Sequence, residues 1–109
     1  MGRIINQYDV FWVKLDPTQG SEIAKTRPCV VVSPNEVHNN LHNVIVVPIT
    51  SSIVSDPCRI DCYIAGKKGK MVAYQIRSID KSRLGNFIGT LSKNEIEELR
   101  DSLKKMLCQ

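Results

Sequence analysis

Arg27-Pro28-Cys29-Val30-Val31-Val32-Ser33 holds an unbroken apolar run between a proline and a polar turn. Cys29 to Val32 is too short for a helix and rich in β-branched residues, so it reads as a strand buried on both faces. Val44-Ile45-Val46-Val47 repeats the pattern, and Pro48 reads as its end. Upstream, Tyr8-Asp9-Val10-Phe11-Trp12-Val13 is a further strand. Between it and the first apolar run lies a polar stretch, Lys14 to Arg27, punctuated by Pro17 and Gly20. A loop of that length in a small domain usually carries function.

Downstream, Ser33-Pro34-Asn35-Glu36 carries helix-start signals, with Pro34 just inside the cap position. Cys58 to Ile64 alternates as a strand, Gly66-Lys67-Lys68-Gly69 reads as a turn into Met71 to Tyr74, and Phe87-Ile88 as a last short strand. The C-terminal segment is a helix. Ser92 and Glu95 form a capping-box pair, and Ile96, Leu99, Leu103 and Leu107 recur on one face. Glu95, Glu97 and Glu98 sit near the positive end of the helix dipole, Lys104 and Lys105 near the negative end. Short strands with long excursions and one terminal helix predict a mainly β fold, a small, strongly bent sheet or barrel.

The chain of 109 residues fits one domain, residues 1–109, with 42% hydrophobic residues and no room for a separate cofactor domain. A core this small makes self-association unsurprising. The formal charge of +4 and a pI near 9.0 lean mildly toward a polyanionic partner. Met1 to Asn6 lacks an apolar h-region, and no apolar run is long enough to span a bilayer, so the reading is a cytoplasmic protein without a membrane role. Cys29, Cys58, Cys62 and Cys108 show no metal-site spacing and read as reduced thiols.

Two places suit chemistry on a phosphate. Lys25-Thr26-Arg27-Pro28 sets two cations where the long loop meets a buried strand. Arginine's planar fork grips two phosphate oxygens and keeps its charge at every relevant pH. Pro48-Ile49-Thr50-Ser51-Ser52 sets three hydroxyls just past the second buried strand. Each also has a plainer reading, a solvated charged face for the first and a turn or cap for the second. A serine nucleophile there is disfavoured, since no neighbouring base is arranged to activate it. His38 and His42 stand four apart among Asn39, Asn40 and Asn43, a poor helix, and read as two exposed imidazoles rather than metal ligands.

Taken together these segments resemble a family. Asp9-Val10-Phe11-Trp12-Val13-Lys14-Leu15-Asp16-Pro17 with Gly20-Ser21-Glu22 is similar to the opening of the MazF/PemK/Kid endoribonuclease toxins. Arg27 to Ser33 resembles their RP-x-V-V-V-S strand, Val47 to Ser51 their P-I-T-S turn, and Gln75 to Leu84 their Q-I-R-T-I-D-K-x-R-L segment. The order and spacing hold from about Asp9 to the terminal helix. The resemblance implies an SH3-like barrel with a C-terminal helix, the CcdB/PemK-like toxin fold, working as a homodimer. It implies the toxin of a type II toxin–antitoxin system, cutting single-stranded RNA at a short sequence through the 2′-hydroxyl. The ends would be 2′,3′-cyclic phosphate and 5′-hydroxyl, with no metal or other cofactor. It implies a MazE-like antitoxin whose acidic tail occupies the RNA groove. Residue by residue, it implies catalytic roles for Arg27 and Thr50, and an RNA path along Glu22, Ser51 and Gln75, beside the cation Lys25.

The sequence departs from the pattern in two places. Val72-Ala73-Tyr74 stand where the Kid branch carries Arg-x-Asp, so that branch's acid/base scheme does not transfer and the base is left open. Tyr8 replaces the usual Gly before D-V-x-W, without evident chemical consequence. The alternative is a CcdB-like toxin that binds gyrase and cuts nothing. That mode is associated with a C-terminal Trp-Gly-x-Ile, where this chain has Lys105-Met106-Leu107-Cys108-Gln109. For the dimer, the segment around Arg77 and Arg83 and the terminal helix are the surfaces to examine.

Overall fold

The computed structural model describes residues 4–15 and 26–108. Among the described residues there are seven strands: β1 (Asp9–Lys14), β2 (Thr26–Val31), β3 (Asn43–Thr50), β4 (Arg59–Ile64), β5 (Lys67–Val72), β6 (Arg77–Asp80) and β7 (Leu84–Thr90). A short helix α1 (Asn35–His38) precedes β3, and α2 (Lys93–Leu107) closes the described chain. The strands run β4-β5-β3-β2-β1-β7 in one antiparallel sheet, with β6 also beside β3. The sheet curls until its edges meet: a Cβ on Gly89 of β7 would stand 3.6 Å from Ile64 Cγ2 on β4. A bent antiparallel sheet with one terminal helix is the architecture expected from the sequence.

The first apolar run is buried on both faces nearly to its end, and the second only from Val46 onward, since Ile45 is exposed. Val30 of β2 and Val47 and Ile49 of β3 enter one core with Val10, Met71, Ile60, Cys62 and Leu99. Cys29 and Val31 of β2 and Val44 and Val46 of β3 enter a second core with Phe11, Val13, Ile79 and Leu84. Helix α2 covers the first. Its capping box is complete, with Ser92 Oγ accepting from Glu95 N–H and Glu95 Oε1 from Ser92 N–H. The second Glu95 oxygen accepts from Tyr63 N–H at 2.7 Å, tying the helix start to edge strand β4. Ile96, Leu103 and Met106 pack beside the fully buried Leu99. Leu107, placed by periodicity on this face, is exposed, and Met106 takes its place where the last turn leaves the sheet.

Four local readings are corrected. Pro48 does not end β3; it is buried within the strand. It falls where the neighbour of β3 changes, after Val46 pairs with Arg77 on β6 and before Ile49 pairs with Met71 on β5, so no ladder bond is lost there. The hairpin turn lies earlier than read, because Ile64 pairs with Lys67 across Ala65 and Gly66, whose φ angles of 51° and 79° fit a type I′ turn. Lys67 to Gly69 therefore belong to β5. Pro34 is itself the N-cap of α1 rather than the residue inside it. His38 is fully buried, with Nε2 2.8 Å from the Ile5 carbonyl and Nδ1 3.0 Å from Ser33 Oγ. Since a carbonyl only accepts, Nε2 carries the proton in the neutral ring, Nδ1 accepts from Ser33 O–H, and Ser33 Oγ in turn accepts from Ile45 N–H. His42 is exposed, as read.

Tyr8 has a consequence that its chemistry hides. Its φ is 73°, the left-handed region where glycine fits freely. The strained residue is held by its own backbone: Tyr8 N–H donates to Val31 at 2.6 Å, and Tyr8 C=O accepts from Leu91 N–H. Its ring also packs on the helix-covered core.

Candidate active site

Strand register decides which polar residues meet. Cys29 pairs with Pro48, the end of the β2–β3 ladder. Continued two residues in the same register, the strands lead to Arg27 on β2 and Thr50 on β3. On its other side Thr50 pairs with Lys70 of β5, and Lys70 pairs with Asp61 of β4. Residues directly opposite in an antiparallel ladder point to the same face. Arg27, Thr50, Lys70 and Asp61 therefore form a polar row across four strands, on the face turned away from α2. Arg27 stands on firm support, paired on β1 with the fully buried Val13.

Thr50, Lys70 and Asp61 of the row are held by hydrogen bonds. Thr50 Oγ1 accepts from Ser52 N–H at 3.2 Å, and Ser52 Oγ accepts from Val54 N–H at 3.3 Å, two consecutive hydroxyl turns. That leaves the Thr50 hydroxyl proton able to donate outward. Lys70 Nζ donates to Asp61 Oδ1 at 2.6 Å. On the opposite face Gly69 lets β5 lie close against β3, since a Cβ there would stand 2.8 Å from Ile49 Cγ2 and 3.2 Å from the Thr50 carbonyl oxygen. Arg77, paired with Val46, lies on the same face. Burial pushes the Cys29 thiol up to about 12, while the charges of Arg77 and Arg27 pull the other way, which puts both guanidinium groups within electrostatic reach of one side chain. Further out, Arg59 Nη2 donates to the Tyr74 hydroxyl at 3.1 Å, and its Nε lies 3.1 Å from Asp56 Oδ2, an ion pair by distance without hydrogen-bond geometry.

The sequence-derived site residues divide as follows. Arg27 and Thr50 stand two residues beyond the last β2–β3 pair, Cys29 and Pro48, on the adjoining ends of β2 and β3, and Ser51 follows Thr50. Gln75 ends a 3₁₀ turn, Ala73–Gln75, which links β5 to β6 across the β3 stretch holding Pro48, and it is exposed. Glu22 and Lys25 lie outside the described residues. Lys70, Asp61 and Arg77 were missed as site residues, since cross-strand register cannot be read from one segment alone. The alternation of Asp61 and Tyr63 against Lys70 and Lys68 was the available signal. Neither histidine belongs here: His38 is buried, and His42 precedes β3, a full strand of roughly 25 Å from Thr50.

An arginine fork, an oriented hydroxyl and an ammonium on one open face can bind a phosphate group and stabilise added negative charge on it. The comparisons with known proteins agree with that chemistry. Residues 6–107 match the family described as PemK-like, MazF-like toxin of type II toxin–antitoxin system. The chain is 30% identical over 100 residues to the endoribonuclease toxin MazF of Escherichia coli, covering 91% of this chain and 90% of the relative. Its fold is similar to MazF from Deinococcus radiodurans, with a TM-score of 0.86 at 23% identity over 99% of this chain and 100% of the other. It is also similar to a mycobacterial endoribonuclease solved in complex with its cognate antitoxin, with a TM-score of 0.80 at 18% identity over 96% of each chain. The motifs, the bent sheet with its terminal helix and the match over nearly the whole length lead to one assignment: the chain belongs to the PemK-like, MazF-like toxins of type II toxin–antitoxin systems.

Proposed function

We propose that this protein is the toxin of a type II pair and a sequence-specific endoribonuclease that cuts single-stranded RNA without a metal. What supports the reading is the β2–β3 register, which, continued two residues past the Cys29–Pro48 pair, leads to Arg27 on one strand and Thr50 on the other. In RNA the nucleophile is already present as the 2′-hydroxyl beside each phosphate. Its oxygen attacks phosphorus, the bond to the 5′-oxygen breaks, and the products end in a 2′,3′-cyclic phosphate and a 5′-hydroxyl. The Arg27 fork holds the two non-bridging oxygens as their charge grows, and the Thr50 hydroxyl donates to the same group. Glu22, Lys25, Ser51 and Gln75 line the path of the strand, with Lys70 and Arg77 adding positive charge beside it.

The partners follow the same reading. A MazE-like antitoxin would lay an acidic tail along the basic face, competing with RNA, and two toxin chains would form a homodimer. Its RNA substrate makes the cytoplasm its workplace; among the described residues no helix is long and apolar enough to cross a membrane. Incubating a long mixed-sequence RNA with the protein in EDTA and sequencing the ends tests the activity. Cyclic-phosphate and 5′-hydroxyl ends at one recurrent short sequence are expected, and a single 2′-deoxy substitution at that site should abolish the cut. Cleavage that requires added metal, or that proceeds on the deoxy strand, would show the chemistry to be different.

A further inference from the structure

Beside the polar row lies an open cleft of about 460 Å³, between the Ser51–Ile53 segment and the β4–β5 hairpin. Ser51 and Ser52 lead into it directly from Thr50, and Lys70, opposite Thr50, forms part of its wall. Tyr63 and Lys68, a cross-strand pair of the hairpin, line it further out. Tyr63 is 61% exposed. An aromatic ring left open to solvent on an edge strand contributes little to the core, yet the backbone that presents this one is held in place. Its backbone N–H is fixed by Glu95, and the type I′ turn at Ala65–Gly66 fixes the hairpin register.

The charges of the cleft sort into used and unused. Asp61 and Lys70 are paired with each other, and the Glu95 carboxylate is taken by the amides of Tyr63 and Ser92 at the positive end of α2. Lys68 has no ion-pair partner among the described residues. What remains available is a flat aromatic face, one free ammonium and two serine hydroxyls. That is the inventory a single-stranded nucleotide requires: a π-face for the base, a cation for its phosphate and small polar groups for its edges.

Resting on the endoribonuclease reading above, we propose that this cleft is a nucleotide subsite for the residue next to the scissile phosphate. Tyr63 stacks the base and Lys68 holds the phosphate beyond it. The subsite feeds the strand toward Thr50, and it contributes to which RNA sequence is cut without touching the reacting atoms. Both side chains project from a hairpin whose buried residues, Ile60, Cys62 and Met71, face the other way into the core, so neither is required for folding.

The test compares the full chain with Tyr63→Phe, Tyr63→Ala and Lys68→Gln. Binding of a short mixed-sequence 2′-O-methyl RNA, which lacks the free 2′-hydroxyl, is measured by fluorescence anisotropy at several salt concentrations, alongside kcat and KM on cleavable RNA. Tyr63→Ala should weaken binding about tenfold and Tyr63→Phe less than about twofold, because stacking needs the ring and not its hydroxyl. Lys68→Gln should make the log–log salt slope shallower by about 0.7, one phosphate contact on a single strand. In Tyr63→Ala and Lys68→Gln, KM should rise while kcat stays as in the parent. Tyr63→Ala binding as tightly as the parent, while the parent binds and cuts, would overturn the subsite alone. A parent chain that neither binds nor cuts RNA would instead overturn the endoribonuclease reading, and the subsite with it.

Discussion

The two faces of the same strands do opposite work. On the α2 side, Val30, Val47, Ile49, Ile60 and Met71 are buried and no charge intrudes among them. On the other side, near the ends of the same strands, lie the half-buried Arg27, Thr50 and Lys70 and the exposed Asp61. One residue of shift in any strand would exchange the two sets, so the register that builds the core also builds the site. The polar row thus occupies one end of a face whose remainder is the second core, and substitutions in either core should separate from those in the row.

The largest stability effect should come from the covered face. Leu99→Ala leaves a cavity under α2 and should cost roughly 3 kcal/mol or more in urea unfolding, with cleavage per folded molecule unchanged. A comparable loss of kcat at full folding would mean that the two faces are not independent. His38→Ala should cost about 2 kcal/mol, because it strands the Ile5 carbonyl and the Ser33 hydroxyl that the ring now satisfies, again without changing cleavage per folded molecule. An unchanged unfolding midpoint would show that the buried histidine contributes nothing.

A smaller effect should appear with alkaline pH, and it samples both faces. Burial pushes the Cys29 thiol, on the open side, and the Cys62 thiol, on the covered side, from the ordinary 9.0 up to about 12. The unfolded chain therefore loses these protons first as pH rises. The stabilisation is complete below pH 9 and is lost between about pH 9 and 12, at roughly 1 kcal/mol per thiol for the first unit. Cys29→Ala and Cys62→Ala should each flatten that slope; a slope unchanged in both would assign it to other groups.

The elements were legible in the sequence where the information is local. Apolar runs gave the buried strands, and Ser92 with Glu95 gave the start of α2. What was not legible depended on contacts between distant segments. Pro48 looked like a terminator because one segment does not reveal that β3 changes partners beside it. His38 looked exposed because its partners, Ile5 and Ser33, come from other segments. Tyr8 looked inconsequential because the cost of replacing Gly lies in a backbone angle, not in side-chain chemistry. Arg27 and Thr50 were found from family motifs, whereas Lys70 and Asp61 needed the ladder. Ala65 was passed over in favour of the two glycines flanking the lysines, though only Gly66 of that pair takes a positive φ.

The central claim is that Arg27 and Thr50 act together on one phosphate, and a double-mutant cycle on cleavage rate tests it most directly. Arg27→Ala alone should lower kcat about 10²-fold or more, with Arg27→Lys recovering only part because an ammonium lacks the two-pronged fork. Thr50→Ala should lower kcat less. If both groups serve the same phosphate, the double variant should be slower than Arg27→Ala by clearly less than the loss that Thr50→Ala causes on its own. Losses that simply multiply, or either alanine variant cutting RNA at the parent rate, would contradict the shared site.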